Sequence, residues 1–298
     1  MLTSVDTVEL DGGRQATYAV FGSGEPLLYF AGGPGFPAML NLLDAELLQD
    51  RFAVYLIDPH GSGGSTPPSD LSAYDHIGHA GFYDEVRRRL GLARVSVGGV
   101  SFGADVALTY ASLYGGVVDR CIAVSARAVG EDIQSDDAAD EFERNLSRHA
   151  GAPWYPEARA VMDDWTDRVL ATDDPAVVDE MMRVAFPLYL AEPDRPDVRA
   201  GLARIEPYFA TDLAASKAWE SGLYQTIDLR PLLPDIACPT LVVCGELDFI
   251  CGPTQARSVA RGVRNSELAI IPGCGHVPSL EALAAFSQAV SDWLATAR

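Results

Sequence analysis

The sequence is short of positive charge. Its 298 residues include 22 Lys and Arg against 42 Asp and Glu, which gives a formal net charge of −20 at pH 7. A chain this acidic repels the phosphate backbone of nucleic acids and the headgroups of anionic lipids. The composition therefore argues against nucleic-acid and membrane partners, but it does not fix the charge of a small molecule bound in a pocket.

Long hydrophobic runs and ordered cysteine patterns are also lacking. Hydrophobic residues make up 48% of the chain, yet no segment approaches the ~20 consecutive apolar residues that a membrane-spanning helix needs. The first residues show neither the basic start nor the apolar run of a secretion signal. The five cysteines are odd in number and unpaired in spacing, and no Cys/His cluster has metal-ligand spacing. We therefore expect a cytoplasmic protein with reduced thiols and without a metal.

Short apolar runs alternate with helical patterns in the first and last parts of the chain. Such alternation is typical of parallel strands covered by helices on both faces, and it predicts an α/β fold with a mostly parallel central sheet. The predicted strands are 17–21, 27–31, 52–57, 93–98, 120–125, 240–244 and 267–271, and the predicted helices are 37–49, 74–90, 104–110, 254–261 and 280–297.

The strand pattern disappears in the middle of the chain. Residues 127–226 are acidic, helical in pattern and rich in aromatic side chains. We interpret them as a helical cap inserted above the carboxyl ends of the strands, with residues 1–126 and 227–298 forming the core domain. Most of the aromatic residues are expected to form the interior of the cap, and a few to face a pocket.

One pentapeptide, Gly99-Val100-Ser101-Phe102-Gly103, carries most of the functional information. It lies between an apolar run suited to a buried strand and a segment suited to a helix. A serine on so sharp a strand-to-helix turn has a strained backbone and an exposed hydroxyl, and the flanking glycines avoid collisions that a Cβ would cause. The context predicts that Ser101 is a catalytic nucleophile.

A serine nucleophile needs a base, and the base needs an orienting acid. Asp248 follows the predicted strand 240–244, and His276 lies in a glycine-flanked loop after the next one, 267–271. Both candidates therefore lie at strand ends on the edge of the sheet where Ser101 is expected. Glu246 is the alternative acid, but it lies closer to its strand. The other histidines, which are expected to be solvated or to make local hydrogen bonds, are His60, His76, His79 and His149.

The developing negative charge on a substrate oxygen requires backbone amides to bind it. One is predicted to belong to Phe102, which follows the nucleophile, and the other to Gly33 in the loop Gly32-Gly33-Pro34-Gly35 after the strand 27–31. Glycines there allow the backbone to approach the oxyanion closely. The alternative is a glycine-rich turn that only reverses the chain.

These motifs resemble the α/β-hydrolase fold across nearly the whole chain, and within it the proline iminopeptidase family. The glycine loop is similar to the oxyanion loop of that family, and Asp58-Pro59-His60-Gly61-Ser62-Gly63-Gly64-Ser65 is similar to its Asp-x-Arg-Gly-x-Gly-x-Ser segment. Ala203-Arg204-Ile205-Glu206-Pro207-Tyr208-Phe209 resembles the cap segment whose glutamate holds the free α-amine of the substrate. The resemblance implies that Glu206, with Gly32 and Tyr208, contacts the substrate.

The chain also departs from the family pattern. Ala31 stands where the family usually has histidine, His60 where it has arginine, and Phe102 where it commonly has tryptophan. Glu220 is a candidate for a second amine-binding carboxylate on the basis of its position alone.

The resemblance implies a serine hydrolase without a cofactor, acting on a small molecule or short peptide. Our first expectation is an aminopeptidase that releases an N-terminal proline or small residue. The alternatives are an esterase or lactonase, a biosynthetic enzyme for acyl transfer or cyclisation with the same three residues, and a non-hydrolytic binding protein on this fold.

Overall fold

A single eight-stranded sheet forms the centre of the molecule in the computed structural model, which describes residues 2–297. The strand order is β1-β2-β4-β3-β5-β6-β7-β8. The first two pairings, β1 with β2 and β2 with β4, are antiparallel, and the others are parallel, so the expected mostly parallel sheet is confirmed. The strands are β1 (Leu2–Glu9), β2 (Gln15–Phe21), β3 (Glu25–Phe30), β4 (Phe52–Ile57), β5 (Val95–Val100), β6 (Val118–Val124), β7 (Thr240–Gly245) and β8 (Ser266–Ile271).

Helices cover both faces of the sheet and also form the region between β6 and β7. Short 3-10 turns and one π-helical turn, Trp219–Leu223, connect them. The α-helices are α1 (Leu42–Leu48), α2 (His76–Arg89), α3 (Phe102–Leu113), α4 (Asp136–Leu146), α5 (Tyr155–Asp163), α6 (Trp165–Ala171), α7 (Pro175–Ala185), α8 (Pro196–Ile205), α9 (Leu213–Ala218), α10 (Tyr224–Thr226), α11 (Pro253–Gly262), α12 (Pro278–Glu281) and α13 (Leu283–Thr296).

The alternating side chains of the strands build two apolar layers. Leu28 of β3 belongs to the layer shared with α2, α3 and α11, whereas Leu27 belongs to the layer shared with α1 and α13. All the residues of β5 and β7 are buried. Burial on both faces explains why these strands are mostly apolar and do not alternate apolar with charged residues.

Between β6 and β7 the described chain is helical, with α4–α10 and a single isolated bridge between Val129 and Asp228. These helices bury their own apolar clusters, one of which includes Val169 and Met181. The exact division at 127–226 stays a prediction. Within residues 2–297, no helix is long and apolar enough to cross a membrane.

Three elements differ from the sequence-based expectations, one of them the helix expected over residues 280–297, which is divided into α12 and α13. Strand β1 was not expected, because it lies at the edge of the sheet and Val5 remains 61% exposed, so its apolar pattern is weak. The helix expected over residues 37–49 is divided into a 3-10 turn, Ala38–Asn41, and α1.

Candidate active site

Ser101 occupies a strained turn between β5 and α3. Its φ is 55° and its ψ is −127°, a conformation that residues with a side chain rarely adopt. Gly99 and Gly103 make the turn possible, because a Cβ on Gly99 would collide with the backbone of Gly103 and a Cβ on Gly103 would collide with the carbonyl of Phe30. The close packing of strand and helix therefore requires both glycines and presents the serine at the carboxyl end of β5.

His276 and Asp248 form a buried hydrogen-bonded pair. Nδ1 of His276 lies 2.8 Å from Oδ2 of Asp248, and the carboxylate is completely buried. The other oxygen, Oδ1, accepts hydrogen bonds from the amides of Ile250 at 2.9 Å and Cys251 at 3.0 Å. Burial raises the pKa of Asp248, but His276 and these hydrogen bonds outweigh it and lower the pKa below its usual value. A carboxylate partner makes Nδ1 the donor, which leaves Nε2 of His276 as an acceptor.

The alternative acid and the alternative histidines lie elsewhere. Glu246 is exposed and accepts a hydrogen bond from the amide of Gly273 at 2.9 Å. His60 and His79 are buried with ring centroids 4.3 Å apart, so of the two expectations, solvation or local hydrogen bonds, solvation is wrong for both. Burial lowers the pKa of His60 to about 4. The ring of His79 packs edge to face against the ring of Phe102. Burial lowers the pKa of His79 well below its usual value, so the ring is neutral in this contact.

The glycine loop and the start of α3 lie on the two sides of Ser101. Gly32 and Gly33 line the same cavity as Ser101 and His276. The amide of Gly32 donates to Oδ1 of Asn41 at 3.0 Å, which fixes the loop, and Gly33 has a φ of 72° that favours glycine. Phe102 is the first residue of α3, so its amide has no carbonyl one turn earlier in the helix to accept it.

A cavity of about 510 Å³ opens above Ser101 between the strand ends and the cap. Its volume lies within the range of pockets that enclose small organic ligands. The cap contributes apolar and aromatic side chains to the walls, among them Phe142, Trp165, Met182, Phe186 and Trp219, together with charged and polar ones. A few of the cap aromatics therefore face the pocket, while others, such as Phe209, are buried within the cap clusters.

The structure does not bring Glu206 or Tyr208 to this cavity. Glu206 lies on the surface with its side chain 49% exposed, and its nearest cation is Arg183, with Nε at 3.8 Å. Glu220 lines the cavity instead and is buried. Trp165 Nε1 donates to its Oε1 at 3.0 Å, and Thr166 Oγ1 donates to its Oε2 at 2.6 Å. Burial raises the pKa of Glu220, and these two hydrogen bonds oppose the rise.

Arg127 is a cavity residue that the sequence analysis missed. It is buried, its Nε lies 3.1 Å from Oδ2 of Asp105, and its guanidinium lies 5.4 Å from the ring centre of Trp219. Burial raises the pKa of Asp105 to about 7, against the opposing charge of Arg127. Its position just after β6, between the strands that end in Ser101 and Asp248, is the clue that could have identified it.

Within residues 2–297, no three His, Cys, Asp or Glu side chains are grouped so that they could hold a metal ion. The five cysteines are buried and free.

Known proteins resemble this chain in both sequence and structure. The proline iminopeptidase of Lactobacillus delbrueckii subsp. lactis is 24% identical over 278 residues, which cover 90% of each chain. An esterase from Thermogutta terrifontis superposes with a TM-score of 0.71 at 24% identity, covering 99% of both chains. The enol-lactonase of Burkholderia xenovorans gives a TM-score of 0.72 at 20% identity, covering 97% of this chain and 100% of that one.

The fold of this chain is thus shared with these solved structures. A family model described as the alpha/beta hydrolase fold matches residues 25–283, which is most of the chain. The protein belongs to the alpha/beta hydrolase fold family.

Proposed function

We propose that this protein is a serine hydrolase that cleaves an amide or ester through an acyl-enzyme. Ser101 attacks the carbonyl carbon, His276 takes the serine proton at Nε2 and returns it to the leaving group, and Asp248 orients the imidazole and stabilises its charged form. The observation that carries the proposal is the strained serine, with φ of 55°, lining one cavity with a histidine that is hydrogen-bonded to a buried carboxylate.

The amides of Gly33 and Phe102 supply the oxyanion site in this proposal. The N-terminus of α3 begins at Phe102, so its partial positive charge favours a negative oxygen next to Ser101. Water then attacks the acyl-enzyme, with His276 acting as the base, and releases the acyl group from Ser101. No cofactor is needed for either half of the reaction.

Labelling by a fluorophosphonate probe tests the nucleophile. The wild-type protein should gain the mass of one phosphonyl group, and Ser101→Ala should gain none and lose about 10⁴-fold in turnover while remaining folded. Ser96→Ala is the matched control, because Ser96 is buried in the same strand, β5. It should label and turn over like the wild type. Labelling of the Ser101→Ala protein would contradict the proposal.

A free-amine substrate is our first choice, so the proposed enzyme is an aminopeptidase. Glu220 supports this choice because it is a buried carboxylate whose hydrogen-bond donors, Trp165 and Thr166, are both neutral. The charge of Arg127 also acts on it, but burial still leaves the pKa of Glu220 raised. A buried charge is unfavourable unless an opposite charge meets it, and a substrate ammonium in the cavity would do so. The relatives named proline iminopeptidase support the same choice. Glu220 takes over the role that the resemblance assigns to Glu206.

The substitution Glu220→Gln distinguishes the proposed aminopeptidase from an esterase or lactonase. Glu220→Gln should lower kcat/KM about 10- to 100-fold for an alanine aryl ester with a free amine, because the charge that meets the ammonium is lost. The N-acetyl form of the same ester has the same leaving group but no charge, so its kcat/KM should change little. Steady-state kinetics with the two esters measures the difference.

Glu206→Gln is the comparison variant, since Glu206 is an exposed surface carboxylate, and it should leave both esters unaffected. An equal loss for the two esters in Glu220→Gln, or a selective loss in Glu206→Gln, would remove the proposed role of Glu220. The second candidate is an esterase or lactonase for neutral substrates, which the mostly apolar walls of the cavity favour. An equal loss for the two esters in Glu220→Gln would support this candidate.

A further inference from the structure

Two charged side chains outside the catalytic set hold the loops that carry Asp248 and His276. Arg148 belongs to the 3-10 turn Ser147–His149 that follows α4, and Glu281 ends α12. Both contact backbone groups of residues 188–191, a cap segment that we call the anchor segment. The two side chains lie on different elements, one in the cap and one in the core.

Arg148 joins the acid loop to the anchor segment. Its Nη1 donates to the carbonyl of Leu247, the residue before Asp248, at 2.6 Å. Its Nη2 donates to the carbonyls of Leu190 at 2.7 Å and Leu188 at 3.2 Å. A planar guanidinium can satisfy several carbonyls at once in a fixed geometry, which a lysine ammonium cannot reproduce. The cation thus fixes the spacing between the two backbones.

The anchor segment is in turn bonded to the catalytic histidine. The carbonyl of Tyr189 accepts the amide of His276 at 2.7 Å, and the two rings pack edge to face with centroids 5.4 Å apart. Asn145, at the end of α4, donates through Nδ2 to the carbonyl of Asp248 at 3.1 Å. The backbones on both sides of the Asp248–His276 hydrogen bond are therefore tied to the cap.

Glu281 provides the complementary contacts. Its Oε1 accepts the amide of Gly275, the residue before His276, at 3.0 Å, and its Oε2 accepts the amide of Ala191 in the anchor segment. It is buried, which raises its pKa, while these amides and the charge of Arg148 oppose the rise. The anion therefore joins the loop of His276 to the same anchor segment that the cation joins to the loop of Asp248.

We propose that Arg148 and Glu281 are positioning residues that set the Asp248–His276 hydrogen bond by fastening both catalytic loops to the anchor segment of the cap. Glu281 is buried and Arg148 is half-buried, and withdrawing charges from water is costly, yet their contacts go to backbone groups beside the catalytic pair. Fixing a catalytic group to a fraction of an ångström requires such a supporting layer. The inference rests on the proposed serine hydrolase function. It gives the cap a role in positioning the catalytic residues as well as in lining the pocket.

Arg148→Met tests the proposal, because methionine keeps an unbranched apolar stem but donates no hydrogen bond. We expect kcat to fall about 100-fold with KM nearly unchanged, the effect of a small misplacement of a catalytic group. The downfield proton resonance of the Nδ1–H bond to Asp248 should shift or disappear in this variant. Arg148→Lys should be intermediate in both measurements.

The control is Arg94→Met. Arg94 also donates to two backbone carbonyls, those of Gly116 at 2.7 Å and Val118 at 3.1 Å, but it contacts neither catalytic loop. It should retain wild-type kcat and the downfield resonance. If Arg148→Met does not fold, Glu281→Gln replaces it, and because glutamine has one acceptor oxygen, kcat should fall about 10-fold and the resonance should shift.

A folded Arg148→Met protein with wild-type kcat and an unchanged resonance would overturn the proposal. So would a loss of activity that matches the unfolded fraction while the resonance of the folded protein is unchanged. The resonance needs no substrate, so it decides the role of Arg148 even if the phosphonate probe finds no reactive serine. The two proposals can therefore fail separately.

Discussion

At the scale of single residues, a buried acid lies beneath the glycine loop. Asp44 of α1 is 3% exposed, lines the cavity and accepts a hydrogen bond from Tyr29 Oη at 3.0 Å. Burial raises its pKa to about 6, although hydrogen bonds from Tyr29, Ser279 and Asn41 oppose the rise. Asn41 also holds the amide of Gly32, so Asp44 supports the loop that is proposed to bind the oxyanion.

The raised pKa predicts a pH-dependent stability. Because the pKa of Asp44 is higher in the folded than in the unfolded chain, the folded state binds the proton more tightly, and stability falls as pH rises from about 4 to about 6. Asp44→Asn removes the charge at nearly constant volume. Relative to the wild type, this variant should be about 1–2 kcal/mol more stable at pH 8 than at pH 5, measured by urea unfolding.

The exposed Asp50→Asn variant is the control for this measurement, and its stability relative to the wild type should not change with pH over the same range. An Asp44→Asn effect that is equal at pH 5 and pH 8 would contradict a charged, buried Asp44 at neutral pH.

Residue-level prediction is strongest where the position of a side chain follows from strand topology. Ser101 and Asp248 follow the buried strands β5 and β7, and His276 follows the edge strand β8. Parallel strands bring their carboxyl ends to one edge of the sheet, so their order predicts that the three residues lie near one another. Glu206 and Glu220 lie in the cap, where no such rule applies. Which carboxylate faces the cavity depends on how the cap helices pack, and the local sequence does not encode that.

At the scale of elements, the strands buried on both faces were the most predictable. Strands β5 and β7 are mostly apolar, and the sequence indicates both, although β5 ends two residues beyond the strand predicted over 93–98. Edge strand β1 pairs only with β2 and keeps an exposed face, so it carries little apolar pattern. The start of α1 was misplaced because Pro37 has an extended backbone, with ψ of 153°, and a 3-10 turn follows it.

At the scale of the whole molecule, the negative net charge and the charges around the cavity entrance both act on a charged substrate. The net charge is −20, and the rim of the cavity includes the exposed carboxylates Glu143, Asp163 and Asp167. Arg159 also lines the cavity and pairs with Glu143 and Asp163. The field around the entrance is therefore negative, which attracts cations and repels anions. The composition gives the sign of this field. The fold is what brings some of the carboxylates to the entrance of the cavity.

This field predicts how salt affects a cationic substrate. For the alanine aryl ester with a free amine, kcat/KM should fall about 3- to 10-fold between 20 mM and 300 mM NaCl, because salt screens the attraction between the ammonium and the acidic entrance. The neutral N-acetyl ester shares the leaving group and should show almost no change, which controls for effects of salt on the chemical step. A fall of the same size for both esters would assign the effect to the protein rather than to steering. No change for either ester would mean that the acidic surface does not contribute to substrate capture. This conclusion would hold whichever carboxylate binds the substrate in the pocket.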